Sequence, residues 1–165
     1  SYTFAGGNGF SAIIALLDDG VGTWSTDVEA GVKFTQGWGS VGLIAGYDAS
    51  AAGWGAKGVA RFASPSGFDA SLHVFYASNA NQYNVSSVTY ANVMTNWSIL
   101  ANVGFQAGAK AHIGAWAQWY DTGTWRFAAN VGFTPVSGLL IRPEIVYSTG
   151  GGGIWAGLVR FERSW

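Results

Sequence analysis

Apolar and polar residues alternate with period two along most of the chain. Turn residues break the alternation every ten positions or so. Ten strand-like segments follow, at 10–17, 27–36, 40–47, 53–63, 68–77, 96–106, 109–120, 124–134, 138–148 and 154–165, and residues 1–5 read as the tail of one more strand. Most approach the length of a tilted membrane strand, about 9–11 residues. The connections alternate in character. Those at 6–9, 37–39, 64–67, 107–108 and 135–137 are short, whereas 18–26, 48–52, 78–95, 121–123 and 149–153 are longer on average. Short turns at one end and longer loops at the other are the signature of a membrane β-barrel.

Each predicted strand has two unlike faces. One carries no charged residue in its body and ends in rings on both sides. Tyr47, Trp54, Tyr76, Trp97, Trp119, Trp125, Tyr147 and Trp155 fall at the loop ends, and Phe10, Phe34, Phe62, Phe68, Phe105, Phe133 and Trp165 at the turn ends. Such rows are expected where rings sit at the two membrane–water boundaries. Trp54 and Phe62 are eight residues apart, which at about 3.3 Å per residue and a tilt near 40° spans roughly 20 Å, close to the apolar band of a barrel. The opposite face carries Glu29, Lys33, Lys57, Arg61, Asp69, His73, Lys110, His112, Arg126, Arg142, Glu144, Arg160 and Glu162. These residues are expected to line a pore. Arg163 alone breaks the rule, near the chain end, where a long side chain can snorkel.

Composition points the same way. The chain is 49% hydrophobic and 10% charged, against about 25% charged in a soluble domain. No run reaches the roughly 18 apolar residues of a membrane helix, so a closed sheet in lipid is the consistent solution. A soluble sandwich would turn the uncharged face inward and would not border it with rings on both edges. A net charge of -1 argues against a nucleic-acid partner, and the absence of cysteine removes disulfides and thiol metal sites. No leader precedes Ser1, so the chain is expected to be processed or truncated.

Catalytic and cofactor chemistry find little support. His73 and His112 fall on non-adjacent strands, with no carboxylate spacing that suggests a metal. Asp69, Ser71 and His73 share one strand face, where side chains point in parallel rather than converging. The glycine run 150–153 has no helix after it and is not a phosphate loop. No catalytic residue, metal or cofactor is therefore assigned.

The end of the chain, Val159-Arg160-Phe161-Glu162-Arg163-Ser164-Trp165, resembles that of the alphaproteobacterial general porins of rhizobia and brucellae. Tyr2-Thr3-Phe4, Gly7-Asn8-Gly9-Phe10-Ser11-Ala12 and Gly53-Trp54-Gly55-Ala56-Lys57 are similar to internal strands of that family. The resemblance implies a sixteen-stranded, water-filled barrel, usually a homotrimer, with a constriction loop that would lie before Ser1. It also implies recognition of the aromatic-ended last strand by the outer-membrane assembly machinery. The expectation is thus one domain over 1–165, an all-β transmembrane antiparallel barrel incomplete on its N-terminal side, passing small hydrophilic solutes and ions. A free-standing ten-stranded barrel, a small barrel with an adhesive or structural role through its loops, and a barrel enzyme stay open as alternatives.

Seven basic against four acidic residues give the predicted pore wall a charge of +3, which suggests weak anion preference or a balance to the constriction loop. Arg142 and Glu144 are placed to cross-pair with Arg160 and Glu162 on the next strand. The small inward residues Gly31, Gly42, Gly46, Gly55, Ser71, Gly104, Gly114 and Gly132 suggest space for water in a wide barrel, or, for some of the glycines, relief of crowding where strands bend. The loop 78–95 is expected to cap the mouth, latch onto a neighbouring subunit or lack order.

Overall fold

The computed structural model describes residues 1–18, 25–83, 85–86 and 94–164. The elements in chain order are β1 (Tyr2–Ala5), β2 (Phe10–Asp18), β3 (Thr26–Gln36), β4 (Gly39–Asp48), β5 (Gly53–Ala63), β6 (Phe68–Ala77), β7 (Val85–Ser86), β8 (Met94–Thr95), β9 (Trp97–Gln106), β10 (Ala111–Tyr120), β11 (Trp125–Phe133), β12 (Leu139–Ser148) and β13 (Ile154–Arg163). A single 3₁₀ turn, Gly150–Gly152, precedes β13. Eleven of these strands form one sheet in the order β1-β2-β3-β4-β5-β6-β9-β10-β11-β12-β13, and β7 and β8 make a two-stranded ribbon within the loop after β6. Every pairing in the larger sheet is antiparallel and, apart from β6 with β9, joins strands consecutive along the chain. No helix among the described residues is long and apolar enough to cross a membrane.

The predicted tail at 1–5 is thus a strand in its own right, and the ten other predictions coincide with β2–β6 and β9–β13 to within a few residues. The sheet does not close on itself: β1 and β13 are its two edges. A closed ten-stranded barrel is therefore not what the described residues form.

The turn ends are held by glycines in conformations that other residues avoid. Gly9 has φ +82°, and a side chain there would run into the Thr35 carbonyl of β3. That close approach lets the Gly9 carbonyl accept from Thr35 N at 2.9 Å. Gly9→Ala is expected to cost at least about 1–2 kcal/mol, through both φ strain and the lost approach. Urea titration of the folded barrel in detergent checks this, and an unchanged midpoint would contradict it.

Candidate functional site: the inner wall

Period-two pairing sorts the side chains as expected. On the uncharged face, register sets rings directly opposite one another across strand pairs: Tyr47 faces Trp54, Tyr76 faces Trp97, Trp119 faces Trp125 and Tyr147 faces Trp155. Tyr76 packs at 4.7 Å from both Trp54 and Trp97, and Tyr147 at 4.7 Å from Trp155. At the other edge Phe10 faces Phe34 and Phe68 faces Phe105, with Phe62 at 6.3 Å from Phe68. Phe133 closes the same row on β11, opposite Ala111 and Ile141. Ring contacts of this kind contribute about 0.5–1.5 kcal/mol each beyond their buried area. Trp165 lies outside the described residues.

The aliphatic residues between the two rows are exposed, among them Leu43 at 54%, Val103 at 51% and Ile145 at 51%. Among the described residues the largest fully buried side chains, Asp27, Ser98, Tyr120, Val146 and Ser148, all belong to the opposite, charged face, near the loop ends. A single sheet that buries only its polar side curls toward that side, the reverse of a soluble sandwich.

The inner face carries the charges. Lys33, Lys57 and Arg61, from β3 and β5, border a concavity of about 430 Å³ with Thr3, Ser11 and Ser40. Among the described residues, none of the three has a carboxylate within ion-pair distance. Lys57 also sits 5.1 Å from the Phe75 ring. Arg126 is buried, its Nη1 donating to the Tyr120 hydroxyl at 3.4 Å and its guanidinium 5.4 Å from the Trp116 ring.

Several expectations need correction. Arg142 and Glu144 do not cross-pair with Arg160 and Glu162. The β12–β13 register sets Arg142 opposite Arg160, and Arg160 instead bonds Glu162 on its own strand at 3.1 Å. Glu144 accepts from Asn130 Nδ2 at 3.2 Å and Trp116 Nε1 at 3.5 Å. Lys110 is not on a strand, because β10 begins at Ala111; its Nζ donates to the Pro135 carbonyl at 2.9 Å in the next turn. That leaves six basic side chains on the wall strands themselves. Arg163 donates to the Ser137 carbonyl at 3.1 Å, reaching away from the apolar band to the turn end.

Several of the small inward glycines are overlaid by neighbouring side chains. Gly104 is covered by His112, which crosses β9 to meet Asp69 at 2.7 Å; a Cβ at 104 would lie 2.5 Å from the His112 ring. Gly114 seats Asn130, Gly31 seats Ile44, and Gly132 lies under Leu140 and Arg142. Asp69 thereby engages His112 rather than His73. His73 shares a 3.2 Å contact with Ser71 Oγ, which also accepts from Asn102 Nδ2 at 3.0 Å. The Asp69, Ser71 and His73 side chains therefore form no acid–imidazole–hydroxyl relay.

Sequence reasoning missed a second cluster, where the segment after β6 folds over the inner face. Asn79 Nδ2 donates to the Ala51 carbonyl at 3.0 Å, Gln82 N donates to Asp48 Oδ2 at 2.9 Å, and Gln82 Nε2 donates to Asp27 Oδ2. The Asp27 and Asp48 carboxylates, buried at the strand ends, also accept from Ala49 N at 2.8 Å and Ala51 N at 2.9 Å. The Tyr83 ring lies on Gly46 and Gly55, which face each other across β4 and β5. Burial, and then the Glu29 carboxylate beside it, push the Tyr83 phenol up to about 12, so at neutral pH it is an uncharged hydroxyl. No group of three or more potential metal ligands occurs among the described residues.

A sheet with an uncharged, ring-bordered outer face and a charged inner face is the wall of an outer-membrane β-barrel. The chain belongs to the porin subfamily, whose profile matches residues 1–155. It is 33% identical to porins named Omp2b from Brucella canis, Brucella suis biovar 1 and Brucella abortus over 99% of its own length. It spans about half the length of these curated relatives, since the match covers 50% of each. No solved structure matches the chain.

Proposed function

We propose that the chain forms part of the wall of a water-filled outer-membrane channel through which small hydrophilic solutes and ions diffuse passively. The supporting observation is the sorting of the two faces. Glu29, Lys33, Lys57, Arg61, Asp69, His73, His112, Arg126, Arg142, Glu144, Arg160 and Glu162 stand on the side to which the sheet curls, with Lys110 at its rim, and line the bore. The ring rows on the other side sit at the two headgroup levels. The hydrocarbon between them meets no charge, which is the arrangement a bilayer demands. Family membership supports the same conclusion.

The bore is weakly anion-preferring in this proposal, because Lys33, Lys57 and Arg61 stand together without paired carboxylates among the described residues. Homotrimeric assembly and delivery by the outer-membrane assembly machinery through the last strand belong to the same proposal and rest on the family. No catalytic step is assigned.

The test is single-channel recording of the full-length protein in planar bilayers. Open steps whose size scales with the conductivity of the bathing salt are expected. Folded, membrane-inserted protein that gives no steps would overturn the proposal.

A further inference from the structure

The segment 78–83 leaves the end of β6 and, instead of projecting from the sheet, bends over the inner face of β3, β4 and β5. The wall is shaped to receive it. A Cβ at Gly53 would lie 2.7 Å from Asn79 Cγ, one at Gly46 would lie 2.7 Å from Tyr83 Cε1, and one at Gly55 would lie 2.5 Å from Tyr83 Cβ. Three glycines on two adjacent strands are therefore seats for two side chains of one segment. A side chain at any of the three would meet these atoms closer than contact distance, so the segment would have to shift by about an ångström to accept it.

Polar groups hold the segment at the same points. Ser78 N donates to the Trp54 carbonyl at 2.9 Å, and Asn81 Oδ1 accepts from Tyr83 N at 2.8 Å, closing a tight turn. Gln82 bridges the Asp27 and Asp48 carboxylates from its backbone and its side chain, and its amide donates to the Tyr83 hydroxyl at 3.2 Å. Burying two carboxylates is costly unless their oxygens are satisfied, and Gln82 supplies part of that satisfaction. The segment and the strand ends thus complete one another. Tyr83 then stands in front of Glu29, Lys57 and Phe75 and closes one side of a recess of about 360 Å³.

We propose that the arm Asn79–Tyr83 is a fixed narrowing on the loop side of the bore, and that Tyr83 is a residue that sets the size limit for solutes passing it. This rests on the channel function proposed above. The occupant of the space is the arm itself, a named segment of this chain, docked by matched glycine seats and matched carboxylates.

Two measurements test it separately from the channel function. The chain contains no cysteine, so Gly55→Cys with Tyr83→Cys gives a clean pair. Their Cβ atoms need to open by only about 1.3 Å to reach the usual disulfide separation near 3.8 Å. Mild oxidation of the full-length, membrane-inserted protein is expected to close the bond, read as a mobility shift on a denaturing gel. Failure to cross-link in protein whose heat-modifiable mobility shows it folded would overturn the docked arm. Tyr83→Ala is expected to raise single-channel conductance by about 1.2- to 2-fold and to speed liposome swelling by a trisaccharide more than by a monosaccharide. Cross-linking with unchanged conductance and swelling would overturn the narrowing while leaving the channel intact. Closure of the bond in the cysteine variant, with folded wild-type protein that conducts nothing, would remove the channel function and the narrowing with it.

Discussion

Ala101→Arg is expected to destabilise the folded barrel by about 2–4 kcal/mol, the cost of a cation at mid-depth on a lipid-facing strand. Ala101 lies midway along β9 on the uncharged face, paired with Ala117 on one side and Leu72 on the other. An arginine there has no lumen to reach and is too far from either ring row to snorkel easily. The adjacent Asn102→Arg is expected to cost about 1 kcal/mol or less, since it loses only the hydrogen bond to Ser71 Oγ at 3.0 Å. Equilibrium unfolding by urea in lipid vesicles reads both. A soluble sheet would invert the pair, with 101 tolerant and 102 intolerant, so the order of the two midpoints decides which face meets hydrocarbon.

The second large effect concerns ion preference. Replacing Lys33, Lys57 and Arg61 together with glutamate converts the basic concavity between β3 and β5 into an acidic one. The reversal potential under a potassium chloride gradient is expected to move toward cation preference, with the permeability ratio changing about threefold or more at low salt. The shift should fade as the salt rises, because the screening length contracts from about 10 Å at 0.1 M to about 3 Å at 1 M. A ratio unmoved at low salt would show that these three side chains do not face the permeation path.

What could be read from the residues follows from the two-residue period of a strand. That period places Trp54 and Lys57 on opposite faces wherever the strand begins, so the face assignments survive errors in the ends. Register is less legible. Whether Arg142 meets Glu162 or Arg160 depends on how Gly150–Gly152 turns the chain, and several positive-φ glycines in a row permit more than one answer. The alternation over 109–120 carries Lys110 into a strand that the backbone begins only at Ala111. The arm over the inner face was the least legible. A polar segment has no period, and Asp27 and Asp48 look like ordinary loop charges until Gln82 is seen to bind both. The available signal was Gly46, Gly53 and Gly55 gathered at the loop ends of two neighbouring strands. An inward glycine suggests room for water or relief where a strand bends, and in a sheet interior it equally marks where another part of the chain comes close. Gly104 under His112 repeats the lesson.

The order of the sheet has a kinetic consequence. Each strand bonds only to the strand before and the strand after it in the sequence, with one detour around the β7–β8 ribbon, so no strand pairing requires distant parts of the chain to find each other. Hairpins can be laid down one at a time, each new strand templated by the free edge of the last. Growth of this kind leaves two unpaired edges at any moment, the first strand and the newest, whatever the final circumference, so the energetic hazard of insertion stays constant as the wall lengthens.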